Sequence, residues 1–352
     1  MSAMTIELGR DQARRLRWHA HLLGGSELEP AAVVRRAIAL QGQDLGAVLR
    51  AIAIRSRPGT GVADVRAAFD AGELVRSWPM RGTLFATTPD QLAALLHFTG
   101  ERTHRAAARR RAQLGLDDGV VSRAWEVVGP LLAERPLRRA EVLATWEDAG
   151  VGTSAGRGYH LLMHLAVDGL VHWGRFDETG SEQLLTRTTG APPADPEAAL
   201  AEVVRGFVVA RGPVTDADLA WWTKLPRTLL RRAAATLDDL VEVVVGGEPA
   251  WIVGEPAAPA PSGVTLLPAF DEWILGYADR SLVASRTALD ALVPGGNGVF
   301  RPAVLVDGVV VGTWRAPRRL GSEPLVELVE RVGGSTRRAI ERAVAAWPHA
   351  AT

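Results

Sequence analysis

Leu74-Val75-Arg76-Ser77-Trp78, the turn Pro79-Met80-Arg81-Gly82, and Thr83-Leu84-Phe85-Ala86-Thr87 form the stretch whose reading decides the fold. Two short alternating runs around a Pro- and Gly-bearing turn predict a β-hairpin. Upstream, the apolar spacing predicts helices over residues 9–23 and 30–40. Another is predicted through Leu45, Val48, Leu49 and Ile52, and one over 62–71 closed by Gly72. Helices followed by a hairpin describe a winged helix. The pattern recurs with a helix pair over 131–149, a helix over 158–168, and strands over 170–173 and 182–188. It recurs again after the Pro-rich link 191–196, with helices over 197–211, 216–222 and 227–236 and strands over 240–245 and 250–253. The last stretch predicts strands over 264–267, 300–306 and 309–315 and a helix over 335–347. Asp307-Gly308 supplies a tight turn there. The predicted class is α+β, mainly α: three tandem winged-helix units (1–115, 116–192, 193–262) and a strand-rich segment (263–352).

A chain of 352 residues with 47% apolar and 23% charged residues suits two or three packed units. It has no cysteine, which excludes disulfides, thiolate metal sites and cysteine nucleophiles. No long uncharged apolar run spans a membrane, and residues 1–10 lack a leader's apolar core, so a cytoplasmic protein is expected. The zero net charge hides a polarity: residues 1–115 carry +7 and the remainder −7. Of the 40 basic residues 39 are Arg, and Lys224 is the single lysine. A GC-rich coding bias accounts for Arg over Lys, but not for the polarity. A basic first lobe suits a polyanion.

Leu40-Gln41-Gly42-Gln43-Asp44, followed by Ala51-Ile52-Ala53-Ile54-Arg55, resembles the N-terminal signature of the AlkZ/YcaQ-like winged-helix DNA glycosylases. Arg76 to Leu84 resembles that family's first wing. Leu267-Pro268-Ala269-Phe270-Asp271-Glu272 through Tyr277 and Arg280 resembles a later block, and Phe300-Arg301-Pro302 through Gly312-Thr313-Trp314-Arg315 its C-terminal hairpin. The resemblance implies excision of bulky N7-alkylated purines from double-stranded DNA and unhooking of interstrand cross-links. It implies Gln41 and Gln43 as the catalytic pair. Two positions depart from the family: Gly42 replaces an aliphatic residue, and Phe85 stands where a His often follows Thr-Leu. A glycine at 42 is expected to loosen the backbone between the glutamines.

Carboxamides do not titrate near neutrality and cannot act as general acids. An N7-alkylated purine already carries a positive charge, so its departure needs little protonation. What remains is to hold a water and stabilise an oxocarbenium-like sugar, which two amide oxygens can do. Asp44 is open to two roles, added negative charge near the sugar or the N-cap of the next helix. Without the resemblance, the glutamines would read as a polar loop satisfied by backbone groups.

Arg55, Arg57, Arg76, Arg81 and the run Arg109-Arg110-Arg111 are candidate phosphate contacts, the run also reading as a solvated helix face. His160 and His164, four apart, lack a third ligand in sequence, and no metal or cofactor is expected. His19 and His21 diverge on a helix, and the Gly-Gly pairs do not fit a phosphate loop. Asp271, Glu272 and Arg280 suit a buried ion network. Trp221, Trp222 and Trp251 are expected in the third unit's core. No lysine neighbours the motif in sequence, so a Schiff-base step is not expected. A monomer acting on double-stranded DNA with alkylated purines is the leading expectation. The alternative is a winged-helix DNA-binding or regulatory protein that cleaves no bond.

Overall fold

Pro30, Asp44 and Gly61 open three of the first helices, the first at an N-terminal helical position and the others as caps. The chain runs β1 (Ile6–Leu8), α1 (Arg10–Ala20), α2 (Pro30–Ala37), β2 (Ala39–Gln41), α3 (Leu45–Ala53), α4 (Val62–Asp70), and the hairpin β3 (Val75–Met80) and β4 (Thr83–Thr87). The computed structural model describes residues 6–316 and 324–347. Residues 1–5, part of the expectation about a leader, lie outside the described residues.

The sequence predicts a helix to residue 40, but α2 stops at Ala37. Ile38 adopts φ 66°, and residues 39–41 become strand β2. The cause is a partner distant in sequence: β4 pairs antiparallel with β2 at Ala39↔Thr87, Leu40↔Ala86 and Gln41↔Phe85. The Thr87 hydroxyl donates to Ile38 O at 2.6 Å. Arg211 donates to Ala37 O and Ala39 O at 3.0 and 2.9 Å, fixing both sides of the bend.

Next come α5 (Pro89–Gln113), α6 (Asp118–Glu134), α7 (Arg139–Asp148), α8 (Arg157–Val167) and the hairpin β5 (Val171–Phe176) and β6 (Gln183–Arg187). The sequence expectations omit α5, whose second half is largely solvated and lacks an apolar stripe. They also start the α6–α7 pair too late. Asp117 caps α6, and the helix runs through Pro130, which reads locally as a breaker. The third group is α9 (Pro196–Arg211), α10 (Asp216–Thr223), α11 (Arg227–Ala234), β7 (Leu240–Val245) and β8 (Glu248–Val253). The last is β9 (Val264–Leu267), α12 (Glu272–Leu275), α13 (Arg286–Leu292), β10 (Ala303–Val306), β11 (Val309–Arg315), β12 (Leu325–Leu328) and α14 (Gly334–Ala346). Asp307 and Gly308 take φ 49° and 78° between β10 and β11, the tight turn expected of them.

The architecture is mixed α+β with three sheets. One sheet has the order β2-β4-β3-β5-β6, joining the first and second hairpins through Arg76↔Trp173. The second is β1-β7-β8, with β1 parallel to β7, and the third is β12-β11-β10-β9. Phe85 is fully buried and meets Trp222 edge-to-face at 6.0 Å, with Phe207 beyond. Such a pair contributes about 0.5–1.5 kcal/mol beyond its area burial. Trp222 is core as expected, whereas Trp221 is only half-buried. Among the described residues, no helix is long and apolar enough to cross a membrane.

Candidate active site

The glutamine motif sits where β2 ends at the edge of the five-stranded sheet. Gln41 is buried; Gln43 and Asp44 are exposed. Gln41 Oε1 accepts from the Gln43 backbone N–H at 3.1 Å, and its Nε2 donates to Thr83 Oγ1 at 3.2 Å. Gln43 Oε1 accepts from the Leu84 N–H at 3.2 Å. Both amides are thereby oriented by the motif's own backbone and the β3–β4 hairpin. Each carbonyl oxygen keeps a second lone pair. Asp44 caps α3, accepting from the Ala47 N–H at 2.8 Å, so of its two expected roles the structural one is formed.

Gly42 does not loosen this loop. Its N–H donates to Leu84 O at 2.7 Å, and its carbonyl accepts from Arg76 Nε at 2.6 Å. A Cβ here would lie 3.0 Å from Ala86 N and 3.1 Å from the Phe85 carbonyl carbon, both backbone atoms of β4. The glycine lets β2 run on against β4. Gly42→Val should therefore destabilise the protein by about 1–3 kcal/mol through overpacking. A lowered denaturant midpoint checks this; an unchanged midpoint contradicts the close approach.

The expected phosphate contacts divide. Arg55 is buried and makes a two-pronged bond to Asp271 at 2.7 and 2.9 Å and another to Ala51 O at 2.9 Å. Its role is to brace α3 against α12, and this corrects the expectation of a DNA contact. Arg76 is likewise turned inward, onto Gly42 O and onto Gln183 Oε1 at 3.1 Å. Burial pushes its pKa down to about 10, opposed by the nearby Asp44 charge. Arg57 is exposed but paired with Glu29 at 2.7 Å. Arg111 pairs with Asp118 at 2.8 Å, while Arg109 and Arg110 are exposed at the end of α5.

Arg81 is the most unusual of the set. With Gly82 it forms the β3–β4 turn, φ 57° and 67°. Its guanidinium lies 5.1 Å from the Phe85 ring and 5.9 Å from Trp221. Nε and Nη2 are covered and have no hydrogen-bond partner. Burial lowers its pKa; Glu272 opposes this, and Arg211 and Arg280 add to it.

Beneath β2 lies a charged floor that the sequence only partly foretells. Glu272 Oε2 accepts from Arg211 Nη2 at 2.9 Å, Arg211 Nε at 3.2 Å and Trp222 Nε1 at 3.0 Å. Tyr277 donates to Arg211 O at 2.7 Å and meets His21 Nε2 at 2.9 Å. Burial, reinforced by Arg55, Arg211 and Arg17, holds His21 well below its ordinary pKa. Arg280, expected in this network, instead donates to Ile274 O at 2.8 Å and faces Trp221 and Phe300.

His164 does not pair with His160 as a ligand set. His104 Nε2 lies 2.7 Å from Asp168 Oδ1, and His164 Nε2 lies 3.3 Å from Oδ2. These three residues place one ligand atom each within 4.8 Å of one another, which could admit a divalent ion. As they stand they form a hydrogen-bonded brace between α5 and α8. His104 and Asp168 are 64 positions apart, so local spacing could not reveal them. Lys224, far from the motif in sequence, stands over Trp221 at 3.8 Å beside Arg81.

Comparisons with known proteins agree with one another. A family model described as DNA glycosylase AlkZ-like matches residues 34–349. An interstrand DNA cross-link repair glycosylase of Streptomyces sahachiroi is 29% identical over 266 residues, 68% of this chain and 70% of the relative. The solved structure of the Streptomyces sahachiroi DNA glycosylase AlkZ superposes with a TM-score of 0.79 at 22% identity. The alignment covers 98% of this chain and 97% of that one, a likeness of fold. With a fold this close and a family match across nearly the whole sequence, the chain belongs to the AlkZ-like DNA glycosylases.

Proposed function

We propose that this enzyme is a monofunctional glycosylase that hydrolyses the N-glycosidic bond of bulky N7-alkylated purines in double-stranded DNA. We extend the proposal to interstrand cross-links, as the name of the Streptomyces sahachiroi relative suggests. The observation that carries it is the pair of amides at the β2 edge, each held by a backbone N–H. Water, held by a free lone pair of Gln43 Oε1, attacks the sugar carbon. The electron pair of the breaking C–N bond moves into the cationic purine, which leaves neutral, and the water's proton passes to solvent. The amide oxygens' negative dipole ends stabilise the oxocarbenium-like sugar. Asp44 adds negative charge nearby while capping α3.

The organisation into three tandem winged helices, with units 1–115, 116–192 and 193–262 before the segment 263–352, is part of the same reading. Each hairpin follows a run of helices. We read the protein as a monomer acting on cytoplasmic DNA.

Gln43→Ala tests the assignment. Removing one positioning group of this kind costs about 10²–10³ in rate. Release of 7-methylguanine from duplex DNA should fall by that factor, while affinity for a duplex with an abasic analogue stays unchanged. Equal release by both proteins removes Gln43 from catalysis. A wild type that binds the duplex but releases nothing returns the protein to the non-catalytic DNA-binding reading.

A further inference from the structure

A cavity of about 790 Å³ opens beside the Arg81–Gly82 turn, between that turn, α5, α8 and the end of α10. Its wall carries Arg81, Arg102, Arg105, Arg110 and Lys224, and among the described residues it has no carboxylate. Of the five, only Arg105 has an acidic partner among the described residues, Glu101 at 3.3 Å on the outer surface. Other sunken guanidiniums here are partnered: Arg55, Arg211 and Arg17 each face a carboxylate within 4 Å, and Arg76 bonds Gly42 O and Gln183 Oε1. Arg81 has none within that distance among the described residues. The Glu272 charge that it feels is already bonded to Arg211. Trp221 joins the cluster together. Lys224 Nζ is 3.8 Å, Arg280 Cζ 5.8 Å and Arg81 Cζ 5.9 Å from the centre of its ring. Cations crowded about one indole repel one another and lose hydration, so the arrangement calls for an anion.

Two occupants suit a cavity so near the glutamines: the excised base or the strand's phosphate. Gly82 lines it, and the next residue, Thr83, holds Gln41. Resting on the glycosylase reading above, we propose that this cavity seats a backbone phosphate of the DNA strand and does not receive the damaged base. A cationic purine would meet five like charges there and the released base, which is neutral, brings no negative charge, whereas a phosphodiester offers the missing one. The lesion is then gripped through its backbone on this side, and the bulk of the adduct is left unconfined by this cavity.

The single lysine makes the test direct, because amine-selective acetylation followed by peptide mass analysis reads Lys224 separately from the N-terminus. A saturating duplex bearing an abasic analogue should slow acetylation of Lys224 at least about 5-fold, and millimolar 7-methylguanine should not. Lys224→Gln should weaken binding of that duplex about 5- to 10-fold and lower the slope of log affinity against log salt by about one, with Lys224→Arg restoring both. An unchanged acetylation rate in the DNA complex, protection by the free base alone, or an unchanged salt slope would each overturn the assignment. The abasic analogue cannot be cut, so these readouts stand even if the protein releases no base.

Discussion

A duplex carrying 7-methyl-7-deazaguanine should outlast an incubation that strips 7-methylguanine from the same sequence. The two bases have nearly the same shape, but the deaza analogue is neutral. Its departure needs a proton, and the motif has none to give: Gln41 and Gln43 do not titrate, and the exposed Asp44 is engaged as a cap. The buried imidazole of the charged floor, His21, is held neutral and hydrogen-bonded to Tyr277. A positioned general acid contributes about 10²–10⁴-fold to such cleavage, so the two rates should differ by at least about 10². Quantifying each released base by mass spectrometry decides it. Comparable rates would mean that an acid not identified in this site protonates the leaving group, and the account of uncharged catalysis would fall.

Glu272→Ala should have the largest effect on stability. The carboxylate is fully buried, and one oxygen accepts two bonds from Arg211 and one from Trp222. Removing it leaves a buried guanidinium with no counter-charge, a loss of about 3–5 kcal/mol. Glu29→Ala is the control, since its ion pair with Arg57 is exposed on both sides and such pairs contribute about 0–1 kcal/mol. Denaturant midpoints for both variants give the comparison. Similar small shifts would show that the floor does not support the fold. A second consequence follows from Arg211, which also holds Ala37 O and Ala39 O. Glu272→Ala should slow base release as β2 loses its register.

What the sequence discloses here is mostly what neighbours in the chain decide. Alternation reveals the hairpins, and the Asp44 cap and the Asp307-Gly308 turn are local chemistry. Strand β2 escapes because three residues after a helix carry no pattern of their own; β4 makes them a strand. Arg55 reads as a surface cation because its partner, Asp271, is 216 positions away. Trp221 and Trp222 are adjacent and apolar, yet one packs in the core and the other lies among cations. The resemblance located the glutamines, but only the fold shows that Arg76 clamps the loop between them and that Gly42 belongs to a close backbone approach.

The long reach of the charged floor bears on how the protein is made. Residues 37–55 depend on Arg211, Asp271 and Glu272, and β1 waits for β7 across more than two hundred positions. On the ribosome, the glutamine segment emerges early and stays without its supports until most of the chain has been translated. A fragment ending before residue 271 would carry both glutamines but neither Asp271 nor Glu272, the carboxylates that hold Arg55 and Arg211 beside β2, so the motif cannot be excised as a working miniature.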